Sequence, residues 1–219
     1  MEPNLKNSKK PETLLQQDVI KILRYHEWFV MPTHGNAYQQ GFPDLFCFHQ
    51  RYDYKWVEVK LPNNYSFTAS QEIYFKEIKK VWLMQRSSTD EYKRLFSHPN
   101  WYMYIKPEHK QKVFKESKIQ SRDQNEDEIV QLLEQNNWTV MRTHGNLYQK
   151  GFPDLYAIHP EHGRKWIEIK NPKGFTWTPA QMKYFPLMVL CHVPIWVMRS
   201  VEDYKRLFEP YNLREFMTL

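Results

Sequence analysis

Asp44, Glu58 and Lys60 have the types and spacing of a hydrolytic site, and Asp154, Glu168 and Lys170 repeat them at an offset of 110 residues. Hydrolysing a phosphodiester at neutral pH calls for a divalent cation, an activated water and a positive group beside the attacked phosphate. Hard cations such as Mg²⁺ take oxygen ligands, and Asp44 with Glu58 offers two carboxylates. Val59 separates Glu58 from Lys60. In a strand, alternation then turns both polar side chains to one face and buries Val59 on the other. Lys60 is thereby placed where it can orient a nucleophile or stabilise developing negative charge. Asp154, Glu168 and Lys170 imply the same for a second site.

The elements that position these residues are themselves duplicated. Thr33 to Leu45 recurs at Thr143 to Leu155 with eleven of thirteen residues identical. Each copy is followed, fourteen residues after its Asp, by an acidic-apolar-basic triplet, Glu58-Val59-Lys60 or Glu168-Ile169-Lys170. The best-kept letters are polar residues and glycine, which packing alone does not explain. Four of the six glycines (35, 41, 145 and 151) fall in these two loops, as expected where backbone turns sharply or approaches a neighbour closely. His34, Asn36, Tyr38 and Gln39, with His144, Asn146, Tyr148 and Gln149, lie on the same loops, where amides and imidazoles can hold phosphate or read base edges.

Upstream, apolar residues at 15, 19, 20, 22 and 23 predict an amphipathic helix over 14–27, matched by one at 126–135. Strands are expected at 28–31, 45–49 and 56–59, and at 138–141, 155–159 and 166–169. Pro160 to Gly163 forms a turn signal. Thr68 and Thr178 look like helix caps, with Pro179 at a first helical position. A final strand is expected at 195–198. The paired Tyr-Lys-Arg-Leu-Phe segments at 92 and 204 read as amphipathic helix. Trp28, Trp56, Trp138 and Trp166 recur in register as core residues, and His49 and His159, following strands, as surface ones. The first repeat ends either near 97 or near 115; in the second case Val81 to Ser97 is an insertion.

The length of 219 residues fits two units of about 95–115 residues each. The resulting division is a disordered basic tail at 1–13, a first domain at 14–115, a linker at 116–125 and a second domain at 126–219. No apolar run approaches the ~18 residues of a membrane span, and the polar N-terminus does not read as a secretory signal. Two cysteines, Cys47 and Cys191, at non-equivalent places build neither a disulfide framework nor a zinc site, which points to a reducing, cytoplasmic compartment. The net charge of +6 suits a polyanionic partner once a phosphodiesterase-like site is present.

Pro43-Asp44 with Glu58-Val59-Lys60, and Pro153-Asp154 with Glu168-Ile169-Lys170, resemble the signature of the PD-(D/E)XK nuclease superfamily. The wider pattern of helix, Gly-rich loop, Gly-x-Pro-Asp-Leu, Glu-x-Lys and Thr-x-x-Gln is similar to the VRR-NUC domains and the archaeal Holliday-junction resolvases. The resemblance covers most of each repeat. It implies an α/β chain of two tandem restriction-endonuclease-like domains, each an αβββαβ core with a mixed sheet flanked by helices, forming an intrachain pseudo-dimer. It also implies a Mg²⁺- or Mn²⁺-dependent DNA endonuclease of bacterial, archaeal or phage origin.

Asp44, Glu58, Asp154 and Glu168 would then hold metal. Lys60 and Lys170 would be catalytic, as would Gln71 and Gln181, which match a helix Gln near the attacked phosphate; both can also be read as surface residues. The resolvase-like members add a helix Glu as ligand. Glu126 matches it, whereas Gln16 stands at the equivalent position in the first copy, so unequal sites are expected. DNA is the expected partner, with no membrane, and the chain is expected to be a monomeric pseudo-dimer, with further dimerisation left open. The rival readings are a sequence-specific restriction or homing endonuclease, a DNA-binding module with one or both sites inactive, and a ribonuclease.

Overall fold

A computed structural model describes residues 11–33, 41–63, 65–104, 124–143 and 151–218. The first half runs α1 (Pro11–Tyr25), β1 (Phe29–Pro32), β2 (Leu45–His49), β3 (Asp53–Val59), α2 (Ala69–Ile78), β4 (Val81–Met84) and α3 (Thr89–Lys93). The second runs α4 (Gln124–Gln135), β5 (Thr139–Arg142), β6 (Leu155–His159), β7 (Gly163–Ile169), α5 (Pro179–Leu190) and β8 (Ile195–Met198). Each half is thus a four-stranded mixed sheet flanked by helices. The strand orders are β1-β2-β3-β4 and β5-β6-β7-β8, antiparallel except for the parallel final pair.

Alternation along the strands sorts the side chains into three cores. Leu45, Cys47, Val57 and Val59 face Val19 and Leu23 of α1. Leu155, Ala157 and Ile167 face Ile129, Val130 and Leu133 of α4. The opposite faces of both sheets, with α2 and α5, make a single core common to the two halves. At its centre Phe46 meets Trp166 edge-on at 4.9 Å and Tyr156 meets Trp56 at 5.3 Å, while Trp56 stacks on Trp166 at 5.9 Å. These contacts are reciprocal under the 110-residue offset, as across a two-fold axis.

The final strands settle the register of the first repeat. Val81–Met84 pairs with β3 as Ile195–Met198 pairs with β7, so Val81 to Ser97 is not an insertion. On the open edges, Leu83 N donates to buried Asn100 and Val197 N to buried Asn212, both at 2.7 Å. Trp28 Nε1 donates to Tyr92 (3.3 Å) and Trp138 Nε1 to Tyr204 (3.2 Å), which gives the repeated Tyr-Lys-Arg-Leu-Phe segments a packing role. The first of these continues from α3 into a 3₁₀ turn; the second is 3₁₀ throughout Val201–Phe208 rather than α-helical.

Other expectations shift at their edges. Helix α1 begins at Pro11, inside the expected tail of 1–13, and α4 begins at Gln124, inside the expected linker. Strands β1 and β5 start one residue after Trp28 and Trp138. All four repeated tryptophans are buried, as expected. His49 is not a surface residue: it is buried against Trp28, and its Nδ1 accepts the Arg51 N–H at 2.9 Å. His159 likewise caps its turn, accepting from Glu161 N and His162 N. Cys47 and Cys191 are free and buried. No helix among the described residues is long and apolar enough to cross a membrane.

Candidate active site

Each site is assembled where the start of one strand meets the end of its neighbour. Asp44 lies just before β2, and its Oδ2 accepts the Val59 N–H at 2.7 Å. Its Ile169 counterpart donates to Asp154 Oδ2 at the same distance. Thr33 fixes the approach from the other side. Its N–H donates to Asp44 O (3.0 Å) and its hydroxyl to Pro43 O; Thr143 does the same with Asp154 (2.9 Å) and Pro153. The sequence reading assigned Thr33 and Thr143 no role, although they open the duplicated motif.

Glu58 and Lys60 share a face as expected. Lys60 follows the last residue of β3, but its N–H still reaches Met84 O at 3.1 Å, which extends the register beyond the strand. Its Nζ lies 2.8 Å from Glu58 Oε1, and Lys170 Nζ lies 2.8 Å from Glu168 Oε1. Both glutamates are essentially without solvent exposure, at 0% and 1%. Gln71 and Gln181 are buried rather than surface residues and complete each set. Gln71 Nε2 donates to Glu58 Oε1 at 2.6 Å, and Gln181 Nε2 to Glu168 Oε1 at 2.5 Å.

These glutamines hold their position through the helix start. Gln71 Oε1 accepts from Thr68 N (3.1 Å) while Thr68 Oγ1 accepts from Gln71 N (3.2 Å), a reciprocal cap that Thr178 and Gln181 reproduce. One amide therefore caps a helix with its oxygen and binds the site carboxylate with its nitrogen. The loop glycines let the helix approach. Gly41 has φ +103° and Gly151 φ +94°, and a Cβ on Gly151 would lie 2.6 Å from the Tyr184 ring. A Cβ on Gly41 would overlap Tyr74. An aromatic wall closes the lysine side: Lys170 Nζ sits 4.5 Å from the Trp177 ring, and Lys60 Nζ 5.8 Å from Phe67.

Burial first, and then the Asp44 carboxylate, raise the Glu58 pKa to about 8 against the opposing pull of Lys60. Glu168 is raised for the same two reasons, burial and Asp154. Burial alone would lower Lys60, but attraction to Glu58 outweighs it and the net direction is upward. Two carboxylates facing one ammonium leave each ionised set one positive charge short. In the second copy, Glu168 Oε2 is buried and accepts no hydrogen bond, whereas Glu58 Oε2 accepts the Asp44 N–H at 3.1 Å. An all-oxygen donor pair with a charge deficit, and one oxygen without a partner, fits a hard divalent cation. Among the described residues no group of three or more acidic, His or Cys side chains is placed to hold a metal ion.

Glu126 therefore does not join Asp154 and Glu168 in such a cluster. It is buried and held by Arg142 Nη1, while Nη2 of the same guanidinium lies 2.7 Å from Asp127. Arg142 is sixteen residues away on β5, so no local pattern announced it. In the first copy Gln16, Gln17 and Pro32 occupy these positions. There Glu12 of α1, which falls within the expected tail of 1–13, instead comes within 3.9 Å of Lys60. His34, Asn36, Tyr38, Gln39, His144, Asn146, Tyr148 and Gln149 lie outside the described residues. Comparison with protein-family models, curated proteins and solved structures returned no match to this chain.

Proposed function

We propose that the chain is a divalent-metal-dependent DNA endonuclease of the PD-(D/E)XK type, with one phosphodiester-cleaving site in each half. The observation that carries this reading is the Asp–Glu–Lys–Gln set around a fully buried glutamate, built twice with the same hydrogen bonds on equivalent elements. A surface ion-pair network would not hold a glutamate fully out of water, because burying a charge is costly unless function or pairing compensates.

When bound, Mg²⁺ or Mn²⁺ would supply Lewis-acid polarisation of the phosphate and activation of water. Asp44 and Glu58, or Asp154 and Glu168, would hold it. The residues of the chain account for the rest. Lys60 and Lys170 place an ammonium beside the carboxylates, where it stabilises negative charge developing on the phosphate oxygens. Gln71 and Gln181 fix the rotamer of each glutamate and keep one of its oxygens oriented. Thr33 and Thr143 tie the Pro-Asp backbone to the ends of β1 and β5.

Reciprocal packing of the halves suits two sites acting on two strands, as homodimeric nucleases achieve with two chains. Duplex or branched DNA is the substrate class this favours. The test is cleavage of supercoiled plasmid with Mg²⁺ by the parent, Asp44→Ala, Asp154→Ala and the double variant. The expected result is linearisation by the parent, nicking by each single variant and no cutting by the double. A double variant that cuts like the parent overturns the assignment. If Asp44→Ala is silent while Asp154→Ala abolishes cutting, the first half is a binding module.

A further inference from the structure

Arg24, Arg51 and Lys183 are exposed and line one cleft of about 630 Å³ at the junction of the two halves. Arg24 comes from the last turn of α1, Arg51 from the turn after β2, and Lys183 from α5 of the other half. Trp28 and Tyr184 also line it, and Lys183 Nζ sits 5.0 Å from the Tyr184 ring. Glu27 is the one anion among the lining residues. Three cations against one anion leave the cleft with a formal charge of +2.

The duplication supplies an internal control. Trp28 and Tyr184 have Trp138 and Tyr74 as counterparts, so the aromatic framework is present on both sides. The cations are not: Glu134, Glu161 and Ile73 stand at the positions equivalent to Arg24, Arg51 and Lys183, and all three are exposed. A generally basic surface does not account for two charge reversals and a neutralisation at three equivalent positions. The cleft also lies apart from the carboxylates. Asp44 precedes β2 and Arg51 follows it, so the length of that strand, on the order of 15 Å, separates them.

We infer that this cleft binds the phosphodiester backbone of one nucleic-acid strand flanking the cleaved position, on one side of the molecule only. The class of partner rests on the nuclease reading; the one-sidedness rests on the divergence of the two copies. Arg and Lys make charge-assisted bonds to phosphate oxygens, and such contacts position a strand without reading its sequence. A substrate held this way is oriented relative to the internal two-fold, so the halves meet different arms of it.

The test transplants the opposite side's residues, Arg24→Glu, Arg51→Glu and Lys183→Ile, into the full chain. Binding is measured in EDTA by fluorescence anisotropy with labelled single-stranded and duplex DNA of mixed sequence. The expected result is roughly 10–100-fold weaker binding at low salt and a salt slope shallower by about 2–3, with the denaturation midpoint unchanged. Unchanged affinity and slope overturn the proposal, as does a parent that binds anionic-lipid vesicles but neither DNA form. The two readings fail separately. Lost binding in the triple variant of a chain that never cuts leaves the cleft standing and sinks the nuclease. Retained binding in a variant that still cuts sinks the cleft alone.

Discussion

The two copies agree closely at the Asp–Glu–Lys–Gln set and disagree one layer away. Around Glu58 and Glu168 the bonds from Val59 or Ile169, from the lysine and from the glutamine match to within 0.1 Å. On the first helix and first strand of each half, Gln16, Gln17 and Pro32 stand where the second copy has Glu126, Asp127 and Arg142. These three positions changed as a group: where the carboxylates are absent the arginine is absent too. The difference shows which interactions the architecture imposes and which are free to vary in sets. A backbone N–H at a strand end holds each aspartate, and a helix-capping glutamine holds each glutamate, so the geometry survives in both halves. In the ion triad one guanidinium serves both carboxylates, so a half can do without all three but not without the arginine alone.

The sharpest way to break this comparison is to remove the buried glutamates one at a time. Glu58→Ala and Glu168→Ala should each lower cutting of one strand on the order of 10²–10³-fold, the scale of a lost electrostatic group at a reacting phosphate. Single-turnover cleavage of a strand-labelled duplex reads the two separately, and equal loss on both strands from either variant would contradict independent sites. Next in size is Arg142→Ala, which leaves Glu126 buried without its cation and should cost about 3–5 kcal/mol. Chemical denaturation measures it. Adding Glu126→Gln and Asp127→Gln, the residues of the first copy, should recover most of the loss; absence of recovery would show that the triad does more than neutralise itself.

A pH titration sharpens the comparison further. Glu58 keeps its proton to about pH 8 when folded, against 4.5 for an ordinary glutamate. The native chain therefore binds more protons than the unfolded one between those values. The stability this lends is complete at low pH and is lost as pH rises from about 4.5 through about 8. Thermal melts without divalent cations should show that decline, Glu58→Gln or Glu168→Gln should each flatten it, and Mg²⁺ should protect more at the alkaline end. A flat profile in the parent would mean the glutamates are not held protonated. The smallest effects are expected from Tyr92→Phe and Tyr204→Phe, each about 1 kcal/mol or less, because each removes one hydrogen bond to a buried tryptophan. Unequal losses would show that the two outer cores are not equivalent.

Much of the site was legible because its spacing is local. Glu-x-Lys on a strand fixes a shared face, and Thr-x-x-Gln at a helix start fixes a cap. What could not be read was anything set by a partner distant in the chain. Recurrence in register marks Trp56 and Trp166 as core residues, but does not show that each sheet's aromatic face covers the other's. Nothing near Glu126 revealed that Arg142 holds it. His49 looked like a surface residue because the burial that encloses it comes from Trp28, twenty-one residues earlier on another element. The order of elements was recovered well. The first repeat's final strand was ambiguous because Trp101 to Ile105 is also apolar and aromatic, and hydrogen bonding to β3 was needed to choose.

The core common to both halves has a consequence for how the chain folds. Neither sheet can keep its aromatic face dry alone, so the central cluster ties the two units into one cooperative transition rather than two separate melts. An isolated second half would expose Tyr156, Ile158 and Trp166 at once. Because the contacts are reciprocal, the surface able to cover them is one much like its own, and such a fragment would be driven to pair with itself. Within one chain the two halves meet without having to find each other in solution, and because they are encoded separately their two sides can drift apart in charge.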